Sequence, residues 1–161
     1  MIENRGSHGV VAIGHGLYAI GGGGLHSNLS SNEKLTCTTD NEAKWSRISS
    51  MPTARHALVV VKDEKSIFAI GGWIDGKICS PHIEKYDTET DMWTSCFPMT
   101  VGRRLLGAAV LAKKIYVFGG SIDFEGHCCR VLEIYDITND VWTRGKDLPI
   151  AGREQIPFSY Y

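Results

Sequence analysis

The chain has 161 residues, with 17 lysines and arginines against 18 acidic residues and a formal charge of -1. That balance argues against nucleic acid or an anionic membrane as partner, since both call for clustered positive charge. No stretch approaches the roughly 18 to 20 apolar residues needed to cross a bilayer.

The opening residues, MIENRGSHGV, lack the charged-then-apolar layout of a secretory signal. The five cysteines (Cys37, Cys79, Cys96, Cys128 and Cys129) form neither an even framework nor a CxxC pair. They are expected to be reduced thiols of a cytoplasmic or nuclear protein.

The first predicted elements are an apolar run at residues 10–13, the turn Gly14-His15-Gly16 and the strand Leu17-Tyr18-Ala19-Ile20, which ends in Gly21-Gly22. The same order returns as residues 58–61, a polar turn, Ile67-Phe68-Ala69-Ile70 and Gly71-Gly72. It returns again as residues 108–111, Lys113, Ile115-Tyr116-Val117-Phe118 and Gly119-Gly120. Polar turns between β-rich runs predict hairpins, and a strand apolar at every position predicts cover on both faces. A weaker third strand follows in the later copies, Ile83-Glu84-Lys85-Tyr86 and Leu132-Glu133-Ile134-Tyr135. Its alternation predicts one wet face. After Asp87 or Asp136 comes a four-residue turn, and a fourth strand starts near Trp93 or Trp142. In the first copy Thr38-Thr39 stands where the others have Tyr-Asp, and Trp45 marks the last strand.

The glycine pairs lie 50 and 48 residues apart and the tryptophans 48 and 49. A marker returning near every 50 residues predicts an array of one supersecondary unit, with function on loops at one rim. The glycine pairs are expected to serve sheet packing or positive φ, because no helix follows them to make a phosphate cradle.

With the repeat laid out, the chain resembles the kelch motif. Tyr86-Asp87 before Trp93 and Tyr135-Asp136 before Trp142 match it, as does a Met-Pro-like step before Arg55, Arg103 and Arg153. The resemblance is strongest to the kelch repeats of BTB-kelch proteins. It implies an all-β fold, a partial kelch β-propeller of three four-stranded antiparallel blades at residues 5–54, 55–102 and 103–153. Residues 154–161 would be a tail or the truncated start of a further blade. Family propellers close with more blades than three, so apolar blade faces are left wanting neighbours. Further blades of a longer chain, or a second copy and hence self-association, would supply them.

For function, the resemblance implies a non-catalytic protein-binding scaffold that needs no cofactor, in one version the substrate-recognition part of a cullin-3 ubiquitin ligase adaptor. The alternatives are an actin-associated kelch protein or a kelch-type enzyme, a copper oxidase or sugar epimerase. The six histidines fall at different phases of the repeat and show no ligand spacing, so no metal site is expected. In BTB-kelch relatives, arginines at the entry to each inner strand line a shallow pocket and grip acidic groups of peptides. That role carries over to Arg55, Arg103 and Arg153, with Arg104 beside them. The residues alone allow a structural role equally well, with the guanidinium satisfying carbonyls of a neighbouring blade. Loops after the glycine pairs face the same rim in the family, which adds Trp73, Asp75, Ser121 and Asp123. The expected partner is a protein or peptide segment bearing acidic or hydroxyl groups.

Overall fold

Each pair of apolar runs folds back on itself, and the chain does this three times. The computed structural model describes residues 1–37, 42–75 and 78–149. The first sheet joins β1 (Gly9–Ile13), β2 (Gly16–Ile20), β3 (Asn32–Cys37) and β4 (Ala43–Ile48) in chain order. The second contains β5 (Val59–Asp63) and β6 (Ser66–Ile70). A short hairpin, β7 (Trp73–Ile74) with β8 (Ile78–Cys79), stands between them and the strands that complete that sheet, β9 (Ile83–Asp87) and β10 (Met92–Ser95). The third sheet is β11 (Gly107–Leu111), β12 (Lys114–Phe118), β13 (Glu133–Asp136) and β14 (Val141–Arg144). All pairings are antiparallel, as expected of three propeller blades. No helix among the described residues is long and apolar enough to cross a membrane.

Burial of the apolar second strand drives the blades together. Tyr18, Ile20 and Met51 of blade 1 meet Leu58, Ile67, Ala69 and Tyr86 of blade 2. Phe68, Ile70, Ile83 and Met99 of blade 2 meet Leu106, Ile115, Val117 and Tyr135 of blade 3. Every residue from Ile67 to Ile70 is buried, because alternate side chains feed the two junctions.

The same four hydrogen bonds recur at both junctions. The Gly22 amide donates to the Arg55 carbonyl and the Gly72 amide to that of Arg103, both at 2.9 Å. Nearer the inner edge, Ala57 donates to Ser7 (2.8 Å) and Leu105 to Ala57 (2.9 Å). At the outer edge the Trp93 indole donates to the Ser49 carbonyl (2.9 Å) and the Trp142 indole to that of Phe97 (2.6 Å). The amides of Ser49 and Phe97 donate in turn to Asp91 and Asp140, which also accept the hydroxyls of Tyr86 and Tyr135. The glycine pair is a packing requirement: a Cβ on Gly71, which has φ 63°, would sit 2.5 Å from the Arg103 carbonyl oxygen.

Two expectations are corrected. Register places Leu35 opposite Leu17 and Trp45, the position held by Tyr86 and Tyr135 in the other blades. Leu35-Thr36 is therefore the counterpart of Tyr-Asp; Thr38-Thr39 lies outside the described residues. The third strand also has no simple wet face, since Glu33, Glu84 and Glu133 are all buried. An alternating charge was legible, but its arginine partner, distant in sequence, was not.

The carboxyl of Asp91 sits below its ordinary range, chiefly because the Ser49 amide and then the Tyr86 hydroxyl bond to its charged form. A depressed folded pKa means the unfolded chain binds the proton first, so stability rises with pH through this window. The urea midpoint is expected to be flat at neutral pH and to fall as pH drops below about 4, the unfolded carboxylate value. Asp91→Asn should flatten that acid limb in unfolding followed by tryptophan fluorescence.

Candidate partner-binding rim

The residue after each glycine pair runs beside the entry to the inner strand, forming a single bridge at the top of every blade. The bridges are Gly6 with Gly23, His56 with Trp73 and Arg104 with Ser121. One residue earlier stand Arg5, Arg55 and Arg103, all buried. Each is paired with the glutamate of its own blade: Arg5 with Glu33 at 2.7 Å, Arg55 with Glu84 at 3.0 Å, and Arg103 with Glu133. Other donors reach main-chain oxygens of the same blade, as from Arg55 to Ala69 (3.0 Å) and from Arg103 to Val131 (2.8 Å), while the Nε of Arg5 and of Arg55 is buried without a hydrogen-bond partner. Burial lowers the Arg55 pKa, while Glu84 opposes the shift.

The structure thus puts Arg55 and Arg103 at 0% exposure, with no surface to offer a partner, and apart from Val101, two residues before Arg103, their carbonyl targets belong to their own blades. Arg5 fills the same place and was missed by the sequence reading. Its signal is Met1, four residues ahead as Met51 is of Arg55 and Met99 of Arg103. Arg153 lies outside the described residues.

One step along the chain the copies diverge. Buried positions repeat as Arg and Glu, whereas the bridge positions read Gly, His, Arg on one side and Gly, Trp, Ser on the other. The Arg104 guanidinium lies 4.2 Å from the Trp73 ring centroid, and Phe124 approaches that ring at 6.2 Å. Arg104 makes a long 3.5 Å contact to the Asp123 carbonyl, its Nε is buried without a hydrogen-bond partner, and no ion pair engages it among the described residues. Such stacking fixes the planar cation while leaving edge donors for an anion.

On the blade 1 side, a cleft of about 470 Å³ is lined by Gly6, Ser7, Asn28, His56, Trp73 and Asp75 among others. The Asn28 amide donates to the Trp73 carbonyl (3.0 Å) and to exposed Asp75 (3.1 Å). Its oxygen then faces His56 Nδ1 at 2.6 Å, so that nitrogen carries the proton. Burial, with Arg104 nearby, lowers the His56 pKa against the pull of Asp75. Both influences favour the neutral ring.

Of the other expected rim residues, Ser121 is buried, its hydroxyl donating to the Asp123 carbonyl at 3.2 Å. The Asp123 carboxylate accepts the amides of Gly126 and His127 and lies 2.5 Å from His127 Nδ1. These bonds close a turn and account for the gathering of Asp123, Glu125 and His127. Leu25, Ile78, Ile122 and Phe124 are exposed apolar side chains on these loops, a feature sequence reasoning did not single out.

A family model described as the KLHDC2/KLHL20/DRC7 Kelch-repeats domain matches residues 7–158. The chain belongs to the kelch-repeat family. It is 30% identical over 135 residues to Kelch-like protein 25 of Xenopus tropicalis, covering 84% of this chain and 22% of that protein. Human Kelch repeat and BTB domain-containing protein 12 is 31% identical over 168 residues, covering 91% of this chain and 26% of that protein. The chain therefore spans about a quarter of the length of these kelch relatives. A solved chain described as "Structure of YjhT" superposes with a TM-score of 0.75 at 16% identity, over 92% of this chain and 52% of that one, which shows the fold. Kelch-repeat domains of this family are non-catalytic protein-interaction modules.

Proposed function

We propose that this kelch arc is the partner-recognition part of a BTB-kelch adaptor, presenting a bound protein segment to a cullin-3 ubiquitin ligase. Recognition occurs at the rim around Trp73 and Arg104. One observation carries the reading: interior positions repeat between blades, whereas the bridge positions differ and place a stacked arginine without an ion-pair partner among exposed apolar side chains. A segment bearing a carboxylate next to an apolar residue fits that chemistry. Arg104 would hold the carboxylate bidentately, and Trp73 with Phe124 would take the apolar group. Asp75 and Asp123 border the site and select against a second acidic residue placed too close. Relatives whose names include BTB support the adaptor role, as does the match to a kelch-repeat model.

The test is a titration with a peptide array in which each acidic peptide has an amide counterpart, Asp to Asn and Glu to Gln. Acidic peptides should bind and their counterparts should lose most of the affinity. Trp73→Ala and Arg104→Ala should each weaken binding about tenfold, the usual cost of a central aromatic or arginine contact. Arg104→Lys should restore little, because an ammonium lacks the planar fork. Equal binding of both peptide sets, or full affinity in both variants, would remove the rim from the account.

A further inference from the structure

Trp73 belongs to two neighbourhoods. Arg104 of blade 3 lies 4.2 Å from its ring centroid, and the same residue stands in the wall of the 470 Å³ cleft between blades 1 and 2. That volume is in the range of about 300–1,000 Å³ usual for sites that take small groups. The fixed donors of the cleft are already spent. The amides of Gly6, Gly23 and Gly24 in its lining donate to the carbonyls of Gly23, Gly6 and Ser27 at 2.9, 2.8 and 2.9 Å. Asn28 turns its amide nitrogen to the Trp73 carbonyl and the Asp75 carboxylate, two groups that only accept, which fixes the orientation of its head. Asn28 Oδ1 therefore receives the proton of His56 Nδ1, at 2.6 Å, and Nε2 of that ring is left as an acceptor. Asp75 is exposed, and Asn28 engages one of its oxygens, Oδ1. The lining carries this one carboxylate and, among the described residues, no lysine or arginine. A guest thus meets two acceptors, one of them charged, and the hydroxyls of Ser7 and Ser27, which can turn either way.

We propose, on the footing of the carboxylate site at Arg104, that this cleft binds a basic side chain of the same segment, its ammonium or guanidinium donating to Asp75 and to His56 Nε2. The lining glycine amides are not free to hold an anion, and Asp75 would repel one. A plain apolar group would strip water from the carboxylate and the ring nitrogen without replacing its hydrogen bonds. Arg104 is close enough to lower the His56 pKa, so its charge also opposes a cation in the cleft. A carboxylate held by Arg104 cancels that opposition, and the two subsites are thereby coupled: each charge binds better when the other is present. The preferred segment carries one acidic and one basic residue near an apolar one.

The probes are acetylated, amidated peptides on an alanine background, each with a glutamate beside a leucine and a lysine placed in turn at every other position. Each has a counterpart with norleucine, which keeps the aliphatic chain and lacks the charge. Titrated into the 161-residue chain, the lysine peptide with the best placing should bind about fivefold tighter than its counterpart, the scale of a half-exposed charge pair. Asp75→Asn can still accept from Asn28 and should abolish that preference. Asp75→Lys should reverse it, favouring a second glutamate in place of the lysine. Circular dichroism should show both variants folded, because the side chain is exposed. With glutamine in place of the peptide's glutamate the lysine gain should shrink, and an equal gain would overturn the coupling of the two subsites. No gain at any placing, or a gain that survives Asp75→Asn, would overturn the inference and leave the Arg104 site standing on the glutamate dependence of the same peptides. Failure of every glutamate peptide to bind would remove the Arg104 site and this inference with it.

Discussion

Arg55→Ala is expected to cost about 3–5 kcal/mol of stability, the usual cost of removing one partner from a buried ion pair. The loss comes mainly from Glu84, which would stay buried with only the Thr53 hydroxyl, at 2.7 Å, to satisfy it. Arg103→Ala should fall at the lower end of that range, since Glu133 keeps both the amide and the hydroxyl of Thr100, at 2.8 and 2.6 Å. Against a typical total of about 5–15 kcal/mol, either loss leaves little folded protein at 37 °C. The double replacement Arg55→Met with Glu84→Leu removes both charges and should recover most of the stability. Urea unfolding at constant slope would measure all four proteins, and Arg55→Ala matching the parent would refute the assigned role.

Tyr86→Ala carries a similar expectation of about 3–5 kcal/mol, as for other large aromatics removed from a core. Its ring lies 6.2 Å from Tyr18 across the junction and 5.2 Å from Trp93 within its blade, and the side chain is buried. Truncation would open a cavity between two sheets that cannot collapse without breaking the Trp93 bond to Ser49. Tyr86→Phe keeps the ring and loses only the 2.7 Å bond to Asp91, which still accepts the Ser49 amide. That change should cost about 1 kcal/mol. Equal effects from both replacements would mean the hydroxyl, not the packing, fixes the junction.

The fold was largely legible because its markers are local. Gly71-Gly72 must be glycine where the Arg103 carbonyl passes, and Trp93 and Trp142 must reach back to the end of the preceding blade, so each leaves a mark at a fixed phase. Long-range pairs left no such mark. Glu84 in an alternating strand reads as solvent-facing until its contact with Arg55 is known, 29 residues away in sequence. Blade 1 was misaligned because its last hairpin is longer: Leu35 and Trp45 are ten residues apart, whereas Tyr86 and Trp93 are seven. At the rim, Trp73, Asp75 and Asp123 were singled out by position alone. Arg104 gained its importance only from the stacking on Trp73, a contact between neighbouring blades.

The separation of interior arginines from rim arginine is tested most directly by measuring stability and acidic-peptide affinity together for Arg55→Ala and Arg104→Ala. The account predicts a large fall in urea midpoint with Arg55→Ala, and an unchanged midpoint with weakened binding for Arg104→Ala. A stable Arg55→Ala protein that has lost the peptide, beside an Arg104→Ala protein that binds it normally, would contradict the account.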